Sequence, residues 1–117
     1  MPGKYKVLFY KDGRGRSQVK EWLLELGKSN PRARAVVHRL LKRLSIEGPD
    51  MRPPMSKRIK GTDSILELRH DLGIRLYYWR DDETTFVVAA GELKKKNKAD
   101  QRLIAYAQRA YAEWRTP

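Results

Sequence analysis

The stretch SKRIKGTDSILELRHDLGIRLYYWR, residues 56–80, decides the fold. Two runs of strand-forming residues flank Asp71-Leu72-Gly73, and a three-residue loop that ends in glycine is a common hairpin connection. If Arg69 and Arg75 face each other across this loop, the register of the hairpin follows. It pairs Leu68 with Leu76, Glu67 with Tyr77, and Leu66 with Tyr78.

The two faces of this predicted hairpin differ in chemistry because successive side chains of a strand point to opposite sides. One face is mostly apolar and is predicted to be core: Leu66, Leu68, His70, Ile74, Leu76 and Tyr78. The other face is mixed: Ile65, Glu67, Arg69, Arg75, Tyr77 and Trp79. Two opposed arginines repel each other unless an anion or a carboxylate lies between them. An uncommitted cation pair therefore predicts an anion-binding site, and pairing of the arginines with Glu67 is the alternative.

Composition narrows the class of protein. The 117 residues contain no cysteine and only two histidines, so we expect a single domain, residues 1–117, with no metal site and no cofactor. The net charge of +12 favours a polyanionic partner, nucleic acid first and an anionic membrane or acidic protein next. No apolar run is long enough to span a membrane and no signal peptide is present, which predicts a cytoplasmic protein without membrane contact.

The rest of the chain predicts one strand and two helices before the hairpin, and one strand and one helix after it. Alternation predicts a first strand over residues 4–10. A helix should begin after Ser17 and stop at Gly27, and a second should begin at Asn30-Pro31. The basic face of that second helix is either solvated or an interaction surface.

The strand at residues 84–93 is apolar on both faces and should be central. Pairing it back across an acidic turn at residues 81–83 places Ala90 beside Arg75, with open space above the guanidinium. Asn97 should cap the last helix, whose packing residues are Leu103, Ile104, Ala107, Tyr111 and Trp114. The predicted fold class is α+β, a mainly antiparallel sheet with an N-terminal helical hairpin and a C-terminal helix packed on it.

The phrase "SKRIKG … ILELRHDLGIRLYYW … FVVAAGELKKKNKA" resembles the RelE/ParE superfamily of bacterial toxins, and within it the HigB-like and phage Gp49-like branch. The resemblance covers most of the chain. It implies a RelE-like fold and inhibition by a co-encoded antitoxin, a HigA-like helix-turn-helix protein. Only through that antitoxin would the protein contact operator DNA.

The resemblance also implies what the protein acts on. RelE-type and HigB-type toxins bind the ribosome and cleave mRNA without a metal, through the ribose 2′-hydroxyl. ParE-type toxins share the fold but inhibit DNA gyrase and cut no RNA. An inactive member that only binds nucleic acid is the third interpretation.

Candidate site residues follow from the same resemblance. Arg75 matches the phosphate-stabilising arginine of the family best, and Arg69 accompanies it. Glu67 is either a base or their ion-pair partner. The basic segment after the last strand supplies three further candidates for the catalytic centre: Lys94, Lys95 and Lys96. The expected RNA contacts are Lys57, Arg58, Lys60, Tyr77 and Lys98.

Two departures from the family pattern leave the general acid and base unassigned. Ile65 and Glu67 stand where RelE-type toxins carry lysines, and Lys98 and Ala99 stand where a tyrosine is expected. His70 falls on the leucine face, which favours a buried core histidine over a catalytic one.

Overall fold

A computed structural model describes residues 3–51, 56–94 and 99–116. In these ranges the chain forms the following elements: β1 Lys6–Phe9, α1 Gln18–Ser29, α2 Pro31–Glu47, a 3₁₀ turn Gly48–Asp50, β2 Ser56–Arg58, β3 Leu66–Arg69, β4 Ile74–Asp82, β5 Thr85–Leu93 and α3 Gln101–Arg115. The strands form one sheet in the order β1-β5-β4-β3-β2. Its ladders are antiparallel except for the parallel pair β1–β5. The predicted fold class is confirmed.

The central hairpin has the predicted register. β3 and β4 pair Leu66 with Tyr78, Glu67 with Tyr77, Leu68 with Leu76 and Arg69 with Arg75. Gly73 closes the three-residue loop with a φ of 96°, a left-handed conformation that favours glycine. His70 belongs to this turn, since its Nδ1 accepts a hydrogen bond from the Leu72 N–H at 3.1 Å. It is half-buried, so its prediction as a core histidine is wrong.

Each face of the sheet carries its own hydrophobic core. The leucine face of the hairpin packs against α1 and α2, as predicted, around Leu68, Ile74 and Leu76. The mixed face is buried against α3 over much of its length, because Ile65, Tyr77 and Trp79 are almost fully inaccessible there. In the described ranges, no helix has the length and apolar character needed to cross a membrane.

The first helix of the helical hairpin begins after Ser17, as predicted, but it ends at Ser29 and not at Gly27. Ser17 caps α1 by accepting a hydrogen bond from the Lys20 N–H at 3.2 Å. Asn30 ends α1 and caps α2 through the Ala33 N–H at 3.1 Å, so one residue joins the two helices. Gly27 lies inside α1 and does not end it. A Cβ there would come within 2.7 Å of Nη1 of Arg34, so the glycine makes room for that side chain.

The β4–β5 ladder differs from the prediction by two residues at the position of Arg75. Arg75 lies opposite Glu92, and Ala90 lies opposite Tyr77. The turn between the strands is centred one residue later than predicted, because Asp82 pairs with Thr85. Register shifts at Tyr77/Tyr78 and at Arg80/Asp82 then offset each other along the ladder. A carboxylate, not open space, therefore accompanies Arg75.

Helix α3 begins at Gln101, with Asp100 as its cap through the Arg102 N–H at 2.9 Å. The predicted cap, Asn97, lies outside the described residues. The predicted packing stripe is correct at Ile104 and Ala107, and Ala110 completes it. Tyr106, which is not among the predicted packing residues, packs edge-on against Tyr10 at a centroid distance of 6.2 Å. Aromatic contacts therefore extend the interface beyond the aliphatic stripe.

Candidate nucleic-acid interface

A groove of about 380 Å³ opens on the α3 side of the sheet, between β2, the central hairpin and the start of α3. Ten residues line it: Lys57, Arg58, Ile59, Lys60, Glu67, Arg69, Arg75, Ala99, Gln101 and Ile104. Five of these are cationic and one is a carboxylate. Strand pairing explains the concentration of charge, because Lys57 lies opposite Glu67, and Arg69 lies opposite Arg75.

The floor of the groove is an Arg69–Glu67–Arg75 ion cluster. Arg75 donates from Nη1 to Oε2 of Glu67 at 2.9 Å, and Nη2 of Arg69 lies 3.3 Å from Oε1. Glu67 and Arg75 are only 1% and 3% exposed, whereas the Arg69 side chain is 37% exposed. The predicted uncommitted cation pair is therefore wrong, and Glu67 pairs with both arginines.

Two buried atoms of this cluster lack a hydrogen-bond partner among the described residues: Nε of Arg69 and Oε1 of Glu67. Buried polar groups are almost always satisfied in folded proteins, and an unsatisfied one calls for an explanation. Both atoms are buried out of a ligand's direct reach, but the Arg69 side chain as a whole is 37% exposed on the floor of the groove, and an exposed guanidinium donor there matches an anionic ligand oxygen. Arg69 is therefore the residue of the cluster best prepared for phosphate.

A second carboxylate, Glu92, connects the sheet to the start of α3. Its Oε2 accepts hydrogen bonds from the Tyr77 hydroxyl at 2.6 Å and from the Asp100 N–H at 3.0 Å. Nζ of Lys94 lies 3.8 Å from Oε1 of Glu92 and 3.9 Å from Oδ2 of Asp100. Burial, and then the bond to Glu92, raise the pKa of Tyr77. This network fixes the position of the helix end that forms one wall of the groove.

Of the residues predicted to contact RNA, some lie together in the groove and others do not. Lys57 and Lys60 are exposed in the groove wall. Arg58 also lines the groove, although its register partner Leu66 belongs to the opposite face. Tyr77 is fully buried against α3 and cannot stack on a base, so that prediction is wrong. Lys95, Lys96 and Lys98 lie outside the described residues.

Sequence reasoning missed the role of Glu92 and the contribution of α3 to the groove. Ala99, Gln101 and Ile104 line it from the helix side. A signal for Glu92 was present, since it is the one charged residue in the otherwise uncharged run TTFVVAAGEL. Among the described residues, no group of three or more histidine, cysteine, aspartate or glutamate side chains could hold a metal ion.

The mostly antiparallel sheet, the two helical layers and the cationic groove define an α+β protein of the RelE-like class. The chain matches the family described as "Phage derived protein Gp49-like (DUF891)" over residues 21–112, and it belongs to that family. The predicted membership of the RelE/ParE toxin superfamily, in its Gp49-like branch, is confirmed.

Two solved structures share the fold. A chain of the toxin–antitoxin complex RelBE2 from Mycobacterium tuberculosis is 25% identical, with a TM-score of 0.59, and the match covers 80% of this chain and 100% of that one. The YoeB dimer from Staphylococcus aureus is 15% identical, with a TM-score of 0.60, and the match covers 79% and 99%. No curated protein matches the sequence significantly.

Proposed function

We propose that this protein is the toxin of a toxin–antitoxin pair and a ribosome-dependent mRNA endonuclease of the cytoplasm. The observation that carries the proposal is Arg69, a half-exposed arginine held by buried Glu67 on the floor of a groove lined by five cationic residues. Family membership and the RelE-like fold support the class. The large positive charge supports an RNA target.

The proposed reaction needs no metal. The ribose 2′-oxygen attacks the adjacent phosphorus, the bond from phosphorus to the 5′-oxygen breaks, and a 2′,3′-cyclic phosphate forms. One proton leaves the 2′-hydroxyl and one is delivered to the departing 5′-oxygen. Negative charge grows on the phosphate oxygens, and preorganised donors lower the barrier most effectively at that point. Arg69 supplies such donors.

Glu67 and Arg75 support Arg69 and do not take part in the reaction directly. Both oxygens of Glu67 lie close to guanidinium groups, so we assign it to holding Arg69 in place and not to proton transfer. Arg75 is too deeply buried for its main role to be substrate contact, but it adds positive charge beneath the phosphate site. Lys57 and Lys60 bind the RNA backbone along the groove wall. Lys94, Lys95, Lys96 and Lys98 remain proposed contributors of charge, with Lys94 also held by Glu92.

The proposed regulator is a small antitoxin encoded beside this protein, of the HigA-like helix-turn-helix type. The similar RelBE2 chain comes from a toxin–antitoxin complex, which supports a partner of this kind. Co-expression should give a co-purifying complex and relieve growth inhibition. Failure of both would contradict the proposed regulator.

The test is cleavage of mRNA on programmed ribosomes. Arg69→Ala should lower the cleavage rate by about a hundredfold, the usual cost of one preorganised donor to transition-state charge. Arg109→Ala, which removes an exposed arginine of α3 away from the groove, is the matched control and should cleave normally. Circular dichroism confirms that both variants fold.

A wild-type rate for a folded Arg69→Ala protein would contradict the assignment of the site. In cells, induction should leave mRNA cut inside open reading frames, while free RNA stays mostly intact. Double-strand DNA breaks with intact mRNA would instead establish the gyrase-inhibitor alternative.

A further inference from the structure

The groove contains one polar side chain that belongs neither to its cations nor to its ion cluster. Of the ten residues that line it, five are cationic and one, Glu67, lies between two arginines. Three more are apolar. The remaining residue is Gln101, an exposed glutamine at the first position of α3. A neutral amide has no net charge to attract phosphate, so Gln101 is suited to a different part of a nucleotide from the cations.

In the part of the chain that the structure describes, Gln101 is the one amide side chain without an internal hydrogen bond. Gln18 uses both ends of its amide, since Nε2 donates to a backbone carbonyl of β5 at 2.9 Å and Oε1 accepts from the N–H of the same residue at 2.7 Å. Asn30 caps α2, and Gln108 donates to a backbone carbonyl at 3.5 Å. Gln101 makes no such bond to a described residue. Its amide therefore has a donor and an acceptor available to a ligand.

The backbone on both sides of Gln101 is held in place. The Asp100 N–H donates to Oε2 of Glu92 at 3.0 Å, and Oδ1 of Asp100 accepts from the Arg102 N–H at 2.9 Å. The Ile104 N–H donates to the Asp100 carbonyl at 3.1 Å. Binding through Gln101 therefore has to order only its own side chain, which keeps the entropic cost of binding low.

The apolar residues of the groove lie on the same side as this amide. Gln101 and Ile104 are three residues apart on α3, so their side chains are neighbours on the helix surface. Ile104 is buried, and Ile59 and Ala99 are half-buried against the same core. The flat face of a base can rest on apolar side chains while its edge remains free for hydrogen bonds. The groove thus offers cations to the RNA backbone, and an apolar surface with an amide beside it to a base.

Hydrogen-bonding capacity distinguishes Gln101 from every other residue that lines the groove. Phosphate contacts position a nucleic acid, whereas contacts to base edges read its sequence. A glutamine donates and accepts at once, and it pairs with adenine in a bidentate manner through N6 and N7. Lysine and arginine cannot accept a hydrogen bond, and both oxygens of Glu67 lie beside guanidinium groups. Gln101 is therefore the lining side chain equipped for this pairing.

We propose that Gln101 is the specificity-determining residue of the groove and reads the edge of a base whose phosphate lies at Arg69. Adenine is the base that it favours. This inference rests on the proposed function for the identity of the strand as mRNA, and it adds a sequence preference to that function.

The test compares cleavage sites among the wild type, Gln101→Ala, Gln101→Glu and Gln108→Ala. Gln108 is the matched control, because it is an exposed glutamine of the same helix, seven residues further along and outside the groove. The substrate is ribosome-bound mRNA with a randomised codon, and the cut ends are sequenced. The readout is the ratio of bases at each position and not the total rate, since Gln101→Glu also adds a negative charge to a cationic groove. Circular dichroism checks that each variant folds.

The wild type should favour adenine at one position by about tenfold or more, the discrimination expected of one bidentate pair. Gln101→Ala should reduce this preference to less than about twofold. Gln101→Glu should shift it towards cytosine, whose N4 amino group donates to a carboxylate. Gln108→Ala should cut at the same sites as the wild type. A glutamine that only supports the start of α3 would leave the base ratios unchanged.

An adenine preference that survives in Gln101→Ala would overturn the proposal, and so would a wild type that cuts without regard to base. A guanine preference in both proteins would overturn it as well, because arginine pairs with guanine and would then be the reader.

Binding to short single-stranded RNAs of a single base, measured at low salt, separates this proposal from the proposed function. If the wild type does not cleave on ribosomes but binds the adenine RNA most tightly, and Gln101→Ala loses that preference, the proposed function fails and base recognition stands. Equal affinity of a non-cleaving wild type for all four RNAs would overturn base recognition too.

Discussion

Glu67 is the residue on which the floor of the groove depends. It is almost fully buried between two guanidinium groups, and removing one partner of a buried ion pair leaves an uncompensated charge. Arg75→Ala should therefore lower the free energy of unfolding by about 3 kcal/mol or more. Arg69→Ala should cost less than about 1 kcal/mol, because its side chain is half-exposed. Urea unfolding of both variants measures the difference.

A double variant separates pairing from simple loss of packing. Glu67→Ala together with Arg75→Ala should destabilise the protein by less than the sum of the single changes, since neither partner then remains alone. Additive losses would mean that the ion pair contributes nothing beyond packing.

Whatever the stability result, cleavage should depend on Arg69 more than on Arg75, the reverse of the order that family resemblance implies.

At the scale of elements, the hairpin turn fixes the start of the basic segment. Gly73 has a positive φ, its carbonyl accepts from the Lys94 N–H at 2.8 Å, and a Cβ on it would collide with the Lys94 carbonyl. Gly73→Ala should therefore lower the melting temperature more than Gly61→Ala. Gly61 has a similar φ of 82° but open space around its Cα, so its substitution costs only backbone strain. Equal melting temperatures would contradict the role of the collision.

Helix α3 is held to the groove by Glu92. Glu92→Gln keeps the shape of the side chain but removes the charge that faces Lys94 and weakens the hydrogen bonds from Tyr77 and the Asp100 N–H. We expect the amide protons of the first turn of α3 to exchange faster, with little change at its C-terminal end. Hydrogen exchange measured by mass spectrometry checks this, and unchanged protection would mean that Glu92 does not anchor the helix.

Local patterns were enough to predict the hairpin, because turn chemistry and alternation fix its register without reference to other elements. The β4–β5 register could not be predicted, since two offsetting irregularities and a turn displaced by one residue leave no periodic signal. Because of the same error, Ala90 was predicted opposite Arg75, where the structure has Glu92. The burial of Arg75 and Tyr77 depends on where α3 packs, which no pattern within β4 encodes.

At the scale of the whole molecule, several tyrosines are expected to lower the stability of the folded protein at alkaline pH. Burial and the bond to Glu113 raise the pKa of Tyr10 to about 12, and burial raises the pKa of Tyr78 and of Tyr106. An unfolded chain loses these protons near pH 10, before the folded protein does. Their contribution to stability is therefore complete below about pH 10 and is lost as the pH rises towards 12.

Thermal melting across this range, followed together with tyrosinate absorbance, measures the effect. Tyr10→Phe should show a shallower loss of stability above pH 10 than the wild type, because it lacks one of the groups whose proton release favours unfolding. An identical pH dependence would mean that the Tyr10 hydroxyl contributes nothing in this range.

The strand order has a consequence for the synthesis of the protein. β5 lies between β1 and β4, and Lys6 of β1 pairs with Thr85, so the first strand has no place in the sheet until β5 has been made. The groove is later still, since Gln101 and Ile104 of α3 form one of its walls. Contacts this distant in sequence form late in folding. Under the proposed function, a nascent chain is therefore expected to leave the ribosome that makes it intact until β5 and α3 have been made and have folded.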